Sequence, residues 1–192
     1  MEKIRSFIAI ELPGELRQSL ARLQDRLKSG GSVPVRWVDS GNIHLTLKFL
    51  GDIDTEIIGR MTSALENAAN GIHPFDIRVS GPGVFPNMKR VQVIWVGLAG
   101  ELEKLAQLQK NIEANLAPLG FPSEARPFSP HLTIARVRDY VRPDERQKLG
   151  QLVATTPFES KYVFNVNAVQ LMKSQLTREG PIYSRISTIA LK

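Results

Sequence analysis

The segments IHLTLKFLG, residues 43–51, and HLTIARV, residues 131–137, decide how this sequence is read. They carry near copies of one four-residue pattern, His44-Leu45-Thr46-Leu47 and His131-Leu132-Thr133-Ile134, 87 residues apart. Both alternate polar and apolar residues, which is the pattern of a half-buried strand. Residues i and i+2 of a strand share a face. His and Thr therefore stand together in each copy, while Leu45, Leu47, Leu132 and Ile134 turn into a core. Such a strand presents an imidazole and a hydroxyl to a ligand. Two of the three histidines are used this way. The third, His73, precedes Pro74 and reads as a loop residue.

Outward from the first copy, RSFIAI (residues 5–10) reads as a strand, and leucines at 16, 20, 23 and 27 predict a helix over 15–28 that Gly30 and Gly31 end. A loop leads from there to the motif. A second helix is expected over 55–69, then strands at 75–79 and 91–98 on either side of a loop, GPGVFPN. Around the second copy the parts return in similar order. A helix over 101–116 and a proline-rich loop, PLGFPSEARPFSP, precede it; a helix over 143–153 and strands at 161–171 and 183–191 follow. Strands adjoin strands too often for an alternating parallel sheet, so the class is α+β with two similar lobes. No low-complexity linker divides them, and residues 1–192 are expected to form one two-lobed domain.

Composition narrows the chemistry. The 192 residues are 42% hydrophobic and 23% charged, ordinary for a globular protein, with a net charge of +6 that suits an anionic ligand. The absence of cysteine removes disulfides, thiolate nucleophiles, Fe–S clusters and cysteine-held zinc. No apolar run approaches the roughly 20 residues of a membrane span, and MEKIRSFIAIEL lacks the apolar core of a signal peptide. A cytoplasmic protein without membrane attachment is expected, and a monomer.

Two His-x-Thr strands facing each other suit a phosphodiester. Its cleavage needs a base for the attacking oxygen and an acid for the leaving one, and histidine serves either role near neutral pH. Thr46 and Thr133 would donate to the non-bridging oxygens, where charge grows. No metal or other cofactor is called for, and two histidines without carboxylates make a poor zinc set. Lys48, Arg126 and Arg136 are the neighbouring cations expected to bind substrate. Lys48 shares parity with His44, whereas Arg136 faces the site only if its strand has ended or bulged. Strict parity puts Phe49 on the opposite face, to pack in the core or to stack on a base at the cleft edge. Trp37, Arg36 and Tyr183 are further candidates, and Lys89, Arg90, Arg138 and Arg142 would attract RNA if they converged. A module that binds RNA ends or nucleotides without turnover would carry a similar site. The two copies are nearly equivalent, so the residues leave open which histidine is acid and which is base.

The His-x-Thr pair also resembles the signature of the two-histidine phosphoesterase superfamily. RSFIAIELP, VRWVDSGNIHLTLKFLG, GVFPNMKRVQVIWVGL, RPFSPHLTIARV and LMKSQLTREGPIYSRIS are similar, in order, to its RNA 2',3'-cyclic phosphodiesterase branch, historically called 2'-5' RNA ligases. The resemblance implies two pseudo-symmetric lobes of antiparallel sheet with outer helices and a central cleft. It implies opening of 2',3'-cyclic phosphate ends of RNA, tRNA fragments among them, or of cyclic nucleotides, to 2'-phosphates, with ligation as the reverse. His44 would then be the proton donor, His131 the proton acceptor, and Thr46 and Thr133 the phosphate holders.

Overall fold

The computed structural model describes residues 2–158 and 162–192. In chain order the elements are β1 (Lys3–Glu11), α1 (Gly14–Gly30), β2 (Val35–Trp37), β3 (His44–Asp54), α2 (Ile58–Ala69), β4 (Phe75–Phe85), β5 (Val93–Gly100), α3 (Leu102–Leu116), β6 (His131–Val137), α4 (Pro143–Thr155), β7 (Val163–Val166), β8 (Ala168–Thr177) and β9 (Gly180–Ala190). Two antiparallel sheets result, ordered β3-β1-β8-β9 and β2-β6-β5-β4-β7. Helices α2 and α3 pack together and back the first sheet through β9 and β3. Helices α1 and α4 pack together, and α4 backs the second sheet through β4. No helix among the described residues is long and apolar enough to cross a membrane.

The α+β class and the two lobes match expectation, but the lobes are not the two halves of the chain. The second half, which begins in the second sheet with β5, sends α3 behind the first sheet and adds β8 and β9 to it. The first half returns the exchange: α1 sits with α4, and β4 joins the second sheet. Leu16, Leu20, Leu23 and Leu27 of α1, all buried, share one apolar core with Leu45, Leu47, Leu132 and Ile134. Burial of that apolar area ties the lobes to each other.

The structure departs from the sequence reading at three places. GPGVFPN is not a connecting loop: β4 runs on through Phe85. Gly83 pairs with Trp95, and a Cβ there would run into the indole, so this glycine marks a close approach inside a strand. The expected strand over 161–171 divides into β7 of the second sheet and β8 of the first, with Asn167 between them; its first residue, 161, lies outside the described residues. Residues 35–37, read as loop, form the short edge strand β2. The element expected over 183–191 is β9, which begins three residues earlier.

Candidate active site

The two motif strands hold corresponding places. β3 pairs with β1 and β6 with β5, each antiparallel, and β3 and β6 approach one another across the cleft. On each strand the imidazole is anchored alike. Nδ1–H of His44 donates to the Asn42 carbonyl at 2.7 Å, and Nδ1–H of His131 to the Ser129 carbonyl at 2.7 Å. A carbonyl only accepts, so this contact fixes the proton on Nδ1 and leaves Nε2 as the working nitrogen of both rings. Asn42 is held in turn, its side-chain amide donating to the Pro181 carbonyl at 2.9 Å.

Aromatic residues floor both imidazoles. His44 stacks on Phe7, ring centroids 4.7 Å apart, and meets Tyr183 edge-on at 5.3 Å. Phe7, Ala9 and Met172, with Tyr183 against them, form a small apolar cluster separate from the main core, on the cleft face of the first sheet. His131 stands edge-on to Phe85 at 5.0 Å and tilted to Trp95 at 6.5 Å. Burial is the main cause that lowers the His44 pKa below 6.5. The Arg17 charge adds to the lowering, while the Asn42 carbonyl and Glu11 oppose it. Burial likewise raises the Tyr183 pKa, against the field of Arg136 and Arg5, so the phenol is neutral.

At the last residue of each motif the strand bulges in the same way. Thr46 pairs with Ala9 and Lys48 with Ile8, so Leu47 is the extra residue; Thr133 pairs with Trp95 and Ala135 with Ile94, so Ile134 is the extra one. A bulge shifts the alternation by one residue, which corrects two expectations drawn from parity. Lys48 is turned to the core side, 3% exposed, where its ammonium donates to Glu113 at 2.6 Å and to the Pro122 carbonyl at 2.9 Å. It reaches the inner rim of the cleft without a free charge to offer. Phe49, 64% exposed, joins the cleft face with His44 and Thr46, 6.4 Å from Phe7. The bulge in β6 puts Arg136 on the face of His131 and Thr133, the condition its odd offset required.

His44, Thr46, His131, Thr133, Phe49, Arg126, Arg136 and Tyr183 all line one cleft of about 960 Å³. A second groove of about 640 Å³ adjoins it, and His44, Phe49, Arg136 and Tyr183 line both. Arg36 and Trp37 line the second groove only. Lys89, Arg90, Arg138 and Arg142 line neither, and Arg142 bonds Asp144 and Glu145. His73 is an exposed loop residue. Sequence reasoning missed Phe7, Phe85 and Arg5. Phe7 and Arg5 were accessible through the odd-numbered face of β1; Phe85 was hidden by the loop reading of GPGVFPN. Among the described residues no three His, Asp or Glu side chains gather as metal ligands would.

Such an arrangement can hold a small anion between two hydroxyls while one Nε2 takes a proton and the other gives one. Comparison with known proteins agrees in family. A model described as LigT-like phosphoesterase matches twice, over residues 10–95 and 96–183. An RNA 2',3'-cyclic phosphodiesterase of Methanothermobacter thermautotrophicus is 35% identical over 98% of this chain and all of its own length. One of Methanocaldococcus jannaschii is 33% identical over 95% of this chain and 98% of its own. Among solved structures, LigT of E. coli complexed with 3'-AMP superposes with a TM-score of 0.76 at 26% identity, covering 100% of this chain and 99% of that one.

Proposed function

The chain belongs to the LigT-like phosphoesterase family, and from that premise we propose that it is a hydrolase that opens 2',3'-cyclic phosphate ends of RNA to 2'-phosphomonoesters without a metal. The observation that carries the proposal is the pair of matched imidazoles, each anchored through Nδ1 and each beside a threonine, lining one cleft. A ligand-holding site has no need of two titrating groups set in opposition, whereas opening a cyclic phosphate needs both.

In the proposed reaction water attacks phosphorus as Nε2 of His131 removes its proton. The bond from phosphorus to O3' breaks, and Nε2–H of His44 protonates the departing O3'. The products are a 2'-phosphate and a free 3'-hydroxyl. Thr46 and Thr133 donate to the non-bridging oxygens, and Arg136 and Arg126 supply positive charge at the cleft wall. Phe49, bare to the cleft, offers a face on which the terminal base stacks. The bound phosphate anion beside His44 opposes the desolvation that lowers its pKa and favours the charged form that the acid role requires. A 5'-hydroxyl in place of water gives 2'-5' ligation, which at cellular water concentration is the minor course.

The test is product analysis of a short RNA with a 2',3'-cyclic phosphate end, incubated in EDTA with the wild type, His44→Ala and His131→Ala. Conversion to the 2'-phosphate by the wild type, lost by a factor of about 10² or more in either variant, is expected. RNA that binds but stays cyclic would reassign the cleft to end recognition alone.

A further inference from the structure

We propose that the groove between Arg5 and the Arg36–Arg136 pair holds a backbone phosphate of the RNA strand upstream of the reacting end, so that an oligonucleotide is favoured over a mononucleotide. The inference rests on the function proposed above and extends it to the length of substrate.

The second groove opens from the far side of the wall formed by His44, Phe49 and Tyr183, and Arg136 lines both spaces. Arg36 of β2 stands directly opposite Arg136 of β6 in the strand register. Residues so paired project from the same face, and like charges directly opposite one another destabilise a sheet. Both side chains are exposed, and neither has an ion pair or a side-chain hydrogen bond among the described residues. An anion between the two guanidinium groups removes that repulsion. Arg5, exposed on the face of β1 that also carries Phe7, lines the groove from the first sheet, and Ser174 adds a hydroxyl.

Two carboxylates line the groove as well. That of Asp39 is turned into its own loop, where it accepts from the Gly41 amide at 2.8 Å; the other belongs to Glu179. Three guanidinium groups outweigh them. A cyclic mononucleotide has one phosphate, which the two threonines hold in the main cleft beside Arg136, and it leaves Arg5 and Arg36 of the second groove without an anion. A strand with further phosphates fills both spaces at once. Guanidinium contacts of this kind grip the backbone without reading bases, so the selection is for chain length and not for sequence.

Two measurements test this. The first compares kcat/KM on 2',3'-cyclic AMP with that on a hexanucleotide ending in a 2',3'-cyclic phosphate, for the wild type, Arg36→Gln and Arg5→Gln. The ratio of oligonucleotide to mononucleotide is expected to fall about five- to tenfold in each variant, in line with one lost charged phosphate contact. A ratio unchanged from the wild type in both variants overturns the proposal, whether or not the absolute rates fall. The second follows binding of a fluorescein-labelled hexanucleotide with an inert 3'-phosphate against salt. The slope of log K on log salt should become shallower by about 0.7 in Arg36→Gln, and an unaltered slope overturns the proposal. Arg36→Gln is expected to melt no lower than the wild type, because it removes a like-charge pair, so misfolding does not mimic the result. RNA binding with the arginine-dependent slope but no turnover by the wild type would sink the hydrolase reading and leave the groove standing. Turnover with arginine-independent ratios would do the reverse.

Discussion

Lys48 and Glu113 meet at 2.6 Å with both side chains shut from water, 3% and 9% exposed, and so fasten the motif strand β3 to helix α3 behind it. Gln109 donates to the other carboxylate oxygen at 3.0 Å and the Pro122 carbonyl accepts from the lysine, so the pair is well satisfied. Removing one partner of such a pair strands the other's charge. Lys48→Ala is expected to lower the unfolding free energy by about 3–5 kcal/mol in urea titrations. The double substitution Lys48→Met with Glu113→Leu should recover most of that, because no charge is left behind. A single variant as stable as the wild type would show that the pair holds nothing together.

The pH response of His44 follows from its lowered pKa. Between that value and 6.5 the unfolded chain binds a proton at this ring and the native protein does not. Stability therefore rises with pH across this window and is lost as pH falls below 6.5. In NMR titrations the His44 ring should titrate below 6.5 in the free protein and move up when inorganic phosphate is added. Phe7→Ala, which uncovers the ring, should also move it up. A free-protein midpoint at or above 6.5 would contradict the burial account.

The hydroxyls of Thr46 and Thr133 are assigned to charge that grows during the reaction. Thr46→Val and Thr133→Val keep the β-branched shape that suits a strand and remove only the donor. Each is expected to lower kcat by roughly 10²-fold with a smaller effect on KM, and Thr46→Ser should retain most of the activity. An effect confined to KM would mean that the hydroxyls hold the ground state alone.

The exchange of α1, α3, β4 and β8 between the sheets makes the halves interdependent. Both tryptophans, Trp37 on β2 and Trp95 on β5, lie in the second sheet, so fluorescence follows one lobe while far-UV circular dichroism follows both. The two signals are expected to give coincident urea transitions for the full chain, and residues 1–100 alone should remain unfolded. Separate transitions would mean that the lobes are independent folding units.

The placement of the motif side chains was legible in the sequence because it is local. His44 with Thr46, and His131 with Thr133, stand two residues apart, and one pleat is enough to set them side by side. Helices α1 to α4 were equally open, since leucine and isoleucine spacing reports a buried face wherever the helix packs. Which sheet each helix backs was not legible, because an apolar stripe has no address. The break between β7 and β8 at Asn167 escaped for the same reason: alternation runs through it, and only the partner strands differ.

The sequence by itself determined that two imidazoles and two hydroxyls would be displayed on strands, and that an anionic ligand suited them. Tertiary structure alone decided which neighbours join them. The bulges at Leu47 and Ile134 arise from register against β1 and β5, and no pattern within β3 or β6 announces them. Each shifts the pleat by one residue. That single step sends Lys48 inward to Glu113 and turns Phe49 and Arg136, both five residues after a motif histidine, out onto the cleft.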